Sequence, residues 1–119
     1  MLSKGIRGAT TVDKNTSESI KEATVELLTK MIDANNIEID KISHVIFTTT
    51  SDINAEFPAK FARTELNWHN TAMMCYNEIP VPNALEKCLR VLIVVNTEEN
   101  FKPEFIYLKG AKELRKWKY

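Results

Sequence analysis

Between Ile20 and Ile32, the inward-type positions recur every three or four residues: Ile20, Ala23, Thr24, Leu27, Leu28, Met31 and Ile32. This spacing lays them along one stripe of an α-helix and puts Lys21, Glu22, Glu26 and Lys30 on the solvated side. Thr16 or Ser17 is placed to cap its start, and Asn35-Asn36 ends it. Elsewhere the period is two. From Lys4 to about Val12, alternation predicts a strand with Gly5, Arg7 and Ala9 on one face and Ile6, Gly8 and Thr10 on the other. His44 to Thr50, rich in β-branched residues, predicts a second strand, and Thr71 to Tyr76 a third. Leu89 to Val95 predicts a fourth, apolar on both faces and therefore covered on both, and Phe105 to Leu108 a short fifth. Pro58 opens a short helix on which Ala59, Ala62 and Leu66 form an apolar stripe. Asn83 with Glu86 three residues later predicts a further short, capped helix through Lys87. The whole reads as one α+β domain over residues 1–119, without repeat or linker, and with 109–119 as a mobile tail.

Composition narrows the classes. The chain has 119 residues, 44% of them hydrophobic, too many for a disordered chain. Its 16 basic and 16 acidic side chains cancel, which removes the bulk attraction of nucleic-acid and anionic-membrane binders. The longest unbroken apolar run, Val91 to Val95, is far short of a membrane span. Met1 to Lys4 leads into Gly-Ile-Arg-Gly with no hydrophobic export core, which predicts a cytoplasmic protein whose Cys75 and Cys88 are thiols.

The basic residues divide into twelve lysines and four arginines, Arg7, Arg63, Arg90 and Arg115. Lysine suits solvent, whereas a guanidinium can grip a carboxylate through two parallel hydrogen bonds. Compositional bias toward lysine is the plain alternative. Arg7 is flanked on its own face by the small Gly5 and Ala9, a hollow suited to an anion or simply to close packing of another element. Arg90, at the start of the apolar strand, requires either an anionic ligand or an ion pair, for which Glu86 at i−4 is the local candidate. Lys60 and Arg63 share a helix side, and a solvated face with a Glu56/Lys60 pair accounts for them equally.

The chain carries no Gly-rich phosphate loop, G-x-S-x-G elbow, H-E-x-x-H or Cys/His cluster, and His44 and His69 belong to no motif. An enzyme of this composition would need neither metal, nucleotide cofactor nor activated nucleophile, and would work by binding geometry and electrostatics.

Several segments, in order and spacing, carry a resemblance: Gly5-Ile6-Arg7-Gly8-Ala9-Thr10-Thr11-Val12, Phe57-Pro58-Ala59-Lys60 with Arg63, Cys75, Glu78, Lys87-Cys88-Leu89-Arg90-Val91, Tyr107-Leu108 and Leu114-Arg115. From Lys4 to Arg115 the chain resembles the monofunctional chorismate mutases of the AroH class, and all four arginines fall on matching positions. The resemblance implies an α+β fold, a mixed β-sheet with helices packed on it, assembled as a homotrimeric pseudo-α/β-barrel with sites at subunit interfaces. It implies the Claisen rearrangement of chorismate to prephenate, with no cofactor or metal. Arg90 would donate to the ether oxygen and a carboxylate, and Arg7 would bind the side-chain carboxylate with Tyr107 near it. Glu78 and Cys75 would contact the ring hydroxyl. Arg7, Cys75, Glu78, Arg90 and Tyr107 would share one subunit, Phe57, Ala59, Lys60 and Arg63 would line the mouth from the next, and Leu114-Arg115 would belong to a tail that orders over the substrate. Two departures stand out. Met74 replaces the family's usual threonine, so a hydroxyl contact is missing or replaced, and Lys116-Trp117 replaces the usual Pro-Asp after Arg115. Other readings remain: a non-enzymatic trimeric small-carboxylate sensor using the same arginines, and an RNA-contacting module using the Lys-rich tail with Trp117 and Tyr119.

Overall fold

The computed structural model describes residues 1–98 and 100–116; Trp117 and Tyr119, the aromatic part of the tail, lie outside the described residues. The elements in chain order are β1 (Leu2–Thr11), α1 (Ser17–Asn35), β2 (Ile42–Thr49), α2 (Pro58–Leu66), β3 (Ala72–Asn77), β4 (Cys88–Thr97) and β5 (Ile106–Tyr107), with 3-10 turns at Ile39–Lys41 and Lys109–Lys116. The five strands make one mixed sheet in the order β3-β2-β4-β1-β5. β4 lies antiparallel between β1 and β2, while the outer pairs β2/β3 and β1/β5 are parallel. All five predicted strands are present, with ends shifted by one or two residues.

Helix α1 starts because the Thr16 side chain accepts a hydrogen bond from the Ser19 amide, and it stops where Asn36 turns left-handed at φ 50°. Its apolar stripe faces inward: Ile20, Leu27, Leu28 and Met31 are completely buried and Ile32 is half-buried. Met31 lies across β1 at Gly8, where an added Cβ would stand 2.3 Å from the Met31 Sδ, so any larger residue there would force the buried Met31 side chain to move. Helix α2 begins at Pro58 as expected and contributes Ala59, Phe61 and Ala62 to the same layer, with Trp68 just beyond it. Both helices cover the sheet face that carries Ile6, Val45, Phe47, Leu89, Val91, Ile93 and Val95.

The opposite face follows from the register. Arg7 pairs with Leu92, Ala9 with Arg90, Thr48 with Arg90 and Ile46 with both Leu92 and Met74. Within the chain this face is only partly covered: Leu92 and Val94 are half-buried, and Met74 and Tyr76 are exposed. The expectation that β4 is covered on both sides therefore holds for one side of the single chain.

The predicted helix through Lys87 does not form. Asn83 and Lys87 both take left-handed backbone, φ 66° and 46°, and the segment between them is irregular. Five residues behind Pro80 and Pro82 cannot repay helix nucleation, and the backbone at Lys87 is already committed elsewhere. Its amide donates to Asp52 Oδ2 at 2.9 Å and its carbonyl accepts from Val12 at 2.8 Å. Residues 109–116 coil against β1, with Ala111 fully buried and the Gly110 amide donating to Thr11 Oγ1 at 3.1 Å.

Candidate active site

On the uncovered sheet face, an open cavity of about 1300 Å³ is bounded by β1, β4, β5, the loop after β3 and the 3-10 segment. It gathers six of the residues singled out in the sequence: Arg7, Glu78, Arg90, Tyr107, Leu114 and Arg115. They come from five separate stretches of the chain. Arg7 faces the cavity because Ile6 and Gly8, its neighbours in the alternation, face α1. Arg90 does so because Leu89 and Val91 are in the core. Tyr107 is brought in by its pairing with Ala9, and Ala9, between the two arginines on β1, keeps the floor low. The hollow expected beside Arg7 exists on the Ala9 side only, because Leu92 lies against Gly5, 3.4 Å from where a Cβ would be.

Arg90 is paired, though not with Glu86. Its Nε lies 3.2 Å from Glu78 Oε2, and Glu86 lies exposed in the irregular segment that replaces the expected helix. Glu78 itself follows directly on β3, with its amide donating to the Thr49 carbonyl at 2.8 Å, and Thr48 Oγ1 donates to the same Oε2. The Arg7 guanidinium lies over the Phe105 ring, 4.9 Å from its centroid. Thr48 and Phe105 both line the cavity, and the sequence pattern did not point to either. An inward hydroxyl on a strand was the only local signal for Thr48. For Phe105 there was none, since its partner is nearly a hundred residues away.

The remaining expected residues lie elsewhere on the chain. Phe57, Ala59, Lys60 and Arg63 belong to α2 and its approach, away from the cavity. Lys60 Nζ meets Glu56 Oε1 at 2.9 Å, the i, i+4 pair that spacing allowed. Cys75 is in register with the core residue Phe47, so it points to the helix side of the sheet, where the Ala59 backbone and Arg63 act on it. Burial pushes its thiol up, against the opposing effects of Ala59 and Arg63. Burial likewise pushes up the Cys88 thiol despite Arg90 nearby, so both are held as thiols rather than thiolates. Met74 is 58% exposed on the open face and does not line the cavity.

Among the described residues, no three His, Cys, Asp or Glu side chains are grouped to hold a metal ion, and no helix is long and apolar enough to cross a membrane. A smaller cavity of about 510 Å³ at the other end of β4, lined by Asn36, Lys41, Asn96 and Lys102 among others, contains none of the expected site residues. The main cavity thus has three guanidinium groups, three carboxylates, of which Glu78 is set against Arg90 while Glu104 and Glu113 lie on the lining, and a phenol. It can hold a dianion and direct N–H donors at an oxygen that gains negative charge.

Comparison with known proteins agrees with this arrangement. Residues 3–117 match the family model of chorismate mutase type I. The chain is 41% identical over 114 residues to the chorismate mutase AroH of Thermus thermophilus, covering 94% of this chain and 93% of the relative. It is 38% identical over 98 residues to the chorismate mutase AroH of Bacillus subtilis, covering 82% and 77% respectively. Among solved structures, a chorismate mutase from Clostridium thermocellum matches with a TM-score of 0.88 at 49% identity, over 92% of this chain and 98% of that one. A match this long, in sequence and in fold, means that the chain belongs to the type I chorismate mutase family.

Proposed function

We propose that this protein is a chorismate mutase that rearranges chorismate to prephenate, the step that commits chorismate to phenylalanine and tyrosine. The observation that carries the reading is the convergence of Arg7, Arg90 and Arg115 with Glu78 on one cavity, in a chain of this family. The reaction is unimolecular. The ether C–O bond breaks, a C–C bond forms within the same molecule, and neither a proton nor an enzyme nucleophile takes part. What the protein supplies is therefore selection of the chair-like conformer and stabilisation of separating charge. Arg7 and Tyr107 grip the side-chain carboxylate. Arg90 donates to the ether oxygen, where negative charge grows as the C–O bond lengthens, and Glu78 faces the ring, which becomes partly positive. Leu114 and Arg115 close the open side.

The active unit in this reading is a homotrimer. The uncovered sheet face, with Met74 58% and Tyr76 48% exposed, continues into the loop after β3, with Ile79 81% and Val81 57% exposed, and together they are the apolar surface that a second copy would cover. Phe57, Ala59, Lys60 and Arg63 then reach the cavity of a neighbour, and Cys75, which lies beside Ala59 and Arg63, travels with them. The separate thiols Cys75 and Cys88 suit the reducing cytoplasm to which we assign it.

The test is direct. Metal-free protein mixed with chorismate should deplete its ultraviolet absorbance and yield prephenate far faster than buffer. Calorimetric binding of chorismate without conversion would instead identify a carboxylate sensor, and neither binding nor conversion would overturn the reading altogether.

A further inference from the structure

Thr48 stands in register between Arg90 on β4 and Tyr76 on β3, on the sheet face that opens into the cavity. Its hydroxyl donates to Glu78 Oε2, and the same oxygen is the one that meets Arg90 Nε at 3.2 Å. Both donors fall on a single oxygen, and Oε1 has no partner among the described residues. A carboxylate facing a guanidinium ordinarily settles into a fork, two parallel bonds that occupy both oxygens and two nitrogens. Such a fork would occupy the second carboxylate oxygen and a second guanidinium nitrogen, both of which a substrate could otherwise use. The Glu78 side chain is the less exposed of the pair, 18% against 49% for Arg90, so the carboxylate is the member whose orientation the surroundings can set.

We propose that Thr48 is a positioning residue for the rearrangement: its hydroxyl pins Glu78 through Oε2, holds the pair with Arg90 to a single bond, and leaves Oε1 and further N–H donors of Arg90 for substrate. The proposal rests on the mutase reading and concerns a residue that touches Glu78 rather than the reacting atoms. The backbone supports it. The Glu78 amide is tied to the Thr49 carbonyl at 2.8 Å, so Thr48 and Glu78 stay together whatever the loop from Ile79 onward does.

Thr48→Val removes the hydroxyl while keeping the β-branch and nearly the volume, so the strand should persist with an unchanged melting midpoint. The turnover number should fall about tenfold or more, with a smaller change in KM, as expected for loss of a hydrogen bond to a charged group. Thr48→Ser should recover most of the loss. In a Glu78→Ala background, Thr48→Val should cost nothing further, because its effect passes through the carboxylate. If Thr48→Val misfolds, Thr48→Ala serves as the second hydroxyl-free variant and must show the same fall in turnover. Wild-type turnover in the valine or alanine variant, no recovery with serine, or fully additive losses with Glu78→Ala would each overturn the proposal. These outcomes presuppose an active wild type; a wild type that leaves chorismate unconverted overturns the mutase reading, and this proposal with it.

Discussion

Arg90 sits at the junction of three strands, opposite Ala9 on one side and Thr48 on the other, and it is half exposed toward the cavity. A guanidinium fixed there, with one nitrogen already engaged by Glu78, needs little reorganisation when charge appears on the ether oxygen. Arg90→Ala should therefore lower turnover by orders of magnitude, since one preorganised donor is typically worth about 2.7 to 4 kcal/mol. Arg90→Lys should restore little, because an ammonium has no Nε to meet Glu78 while other donors meet substrate; steady-state kinetics on both variants decide this, and near-normal turnover in either refutes the role. Arg7 is held differently, by stacking on Phe105. Because Arg7 is assigned to a carboxylate that is present in ground and transition state alike, loss of the ring should act on KM and leave turnover nearly unchanged. Phe105→Leu should raise KM by about twofold to thirtyfold, the span of a cation–π contact from exposed to desolvated, and Phe105→Tyr should not. Equal KM values for the leucine and tyrosine variants would show that the ring plays no part.

Of the elements, the two α-helices were legible from an apolar stripe, and the strands from alternation or from β-branched and continuous apolar runs. The segment from Glu78 to Lys87 was not, because it has no buried stripe and its shape is decided by what holds its end. Asp52 is that hold. It accepts from Thr50 Oγ1 at 2.5 Å and from the Lys87 amide at 2.9 Å, and Thr50 Oγ1 accepts in turn from the Cys88 amide at 3.0 Å, so the entry into β4 is clamped two residues before Arg90. Burial on its own would raise the Asp52 carboxyl; the bonds from Thr50 and Lys87 outweigh it and hold the group below the usual carboxylate range. A carboxyl lowered by folding contributes stability that is complete above its unfolded value, about 3.9, and is lost as pH falls through the lower folded value. Melting temperatures of the wild type and Asp52→Asn should accordingly differ at neutral pH and converge below about pH 4. A gap that persists unchanged into acid would assign the role of Asp52 to shape rather than charge.

For the whole molecule, the sheet is covered on one face by α1 and α2 and left half-covered on the other, which carries Arg7 and Arg90 and, at its β3 edge, exposed Met74 and Tyr76. The proposed trimer resolves that asymmetry, and it makes activity depend on assembly. Light scattering should give three times the 13.6 kDa chain mass, and activity per chain should fall on dilution into the dissociating range. Met74→Lys should bring that range to higher protein concentration, and a fully active monomer would refute the shared site. The sequence by itself determined the inward stripe of α1, the helix start at Pro58 and the strand face that Arg7 shares with Gly5 and Ala9, because these depend on neighbours within one turn or one pleat. By resemblance it also named the family. Only the tertiary structure decided that Arg90 pairs with Glu78 rather than Glu86, that Phe105 lies under Arg7, that Thr48 shares Glu78 with Arg90, and that Cys75 faces the helices. Each of these is set by strand register and by chain segments that meet only after the sheet has formed, and no periodicity along the chain encodes which strand will lie beside which.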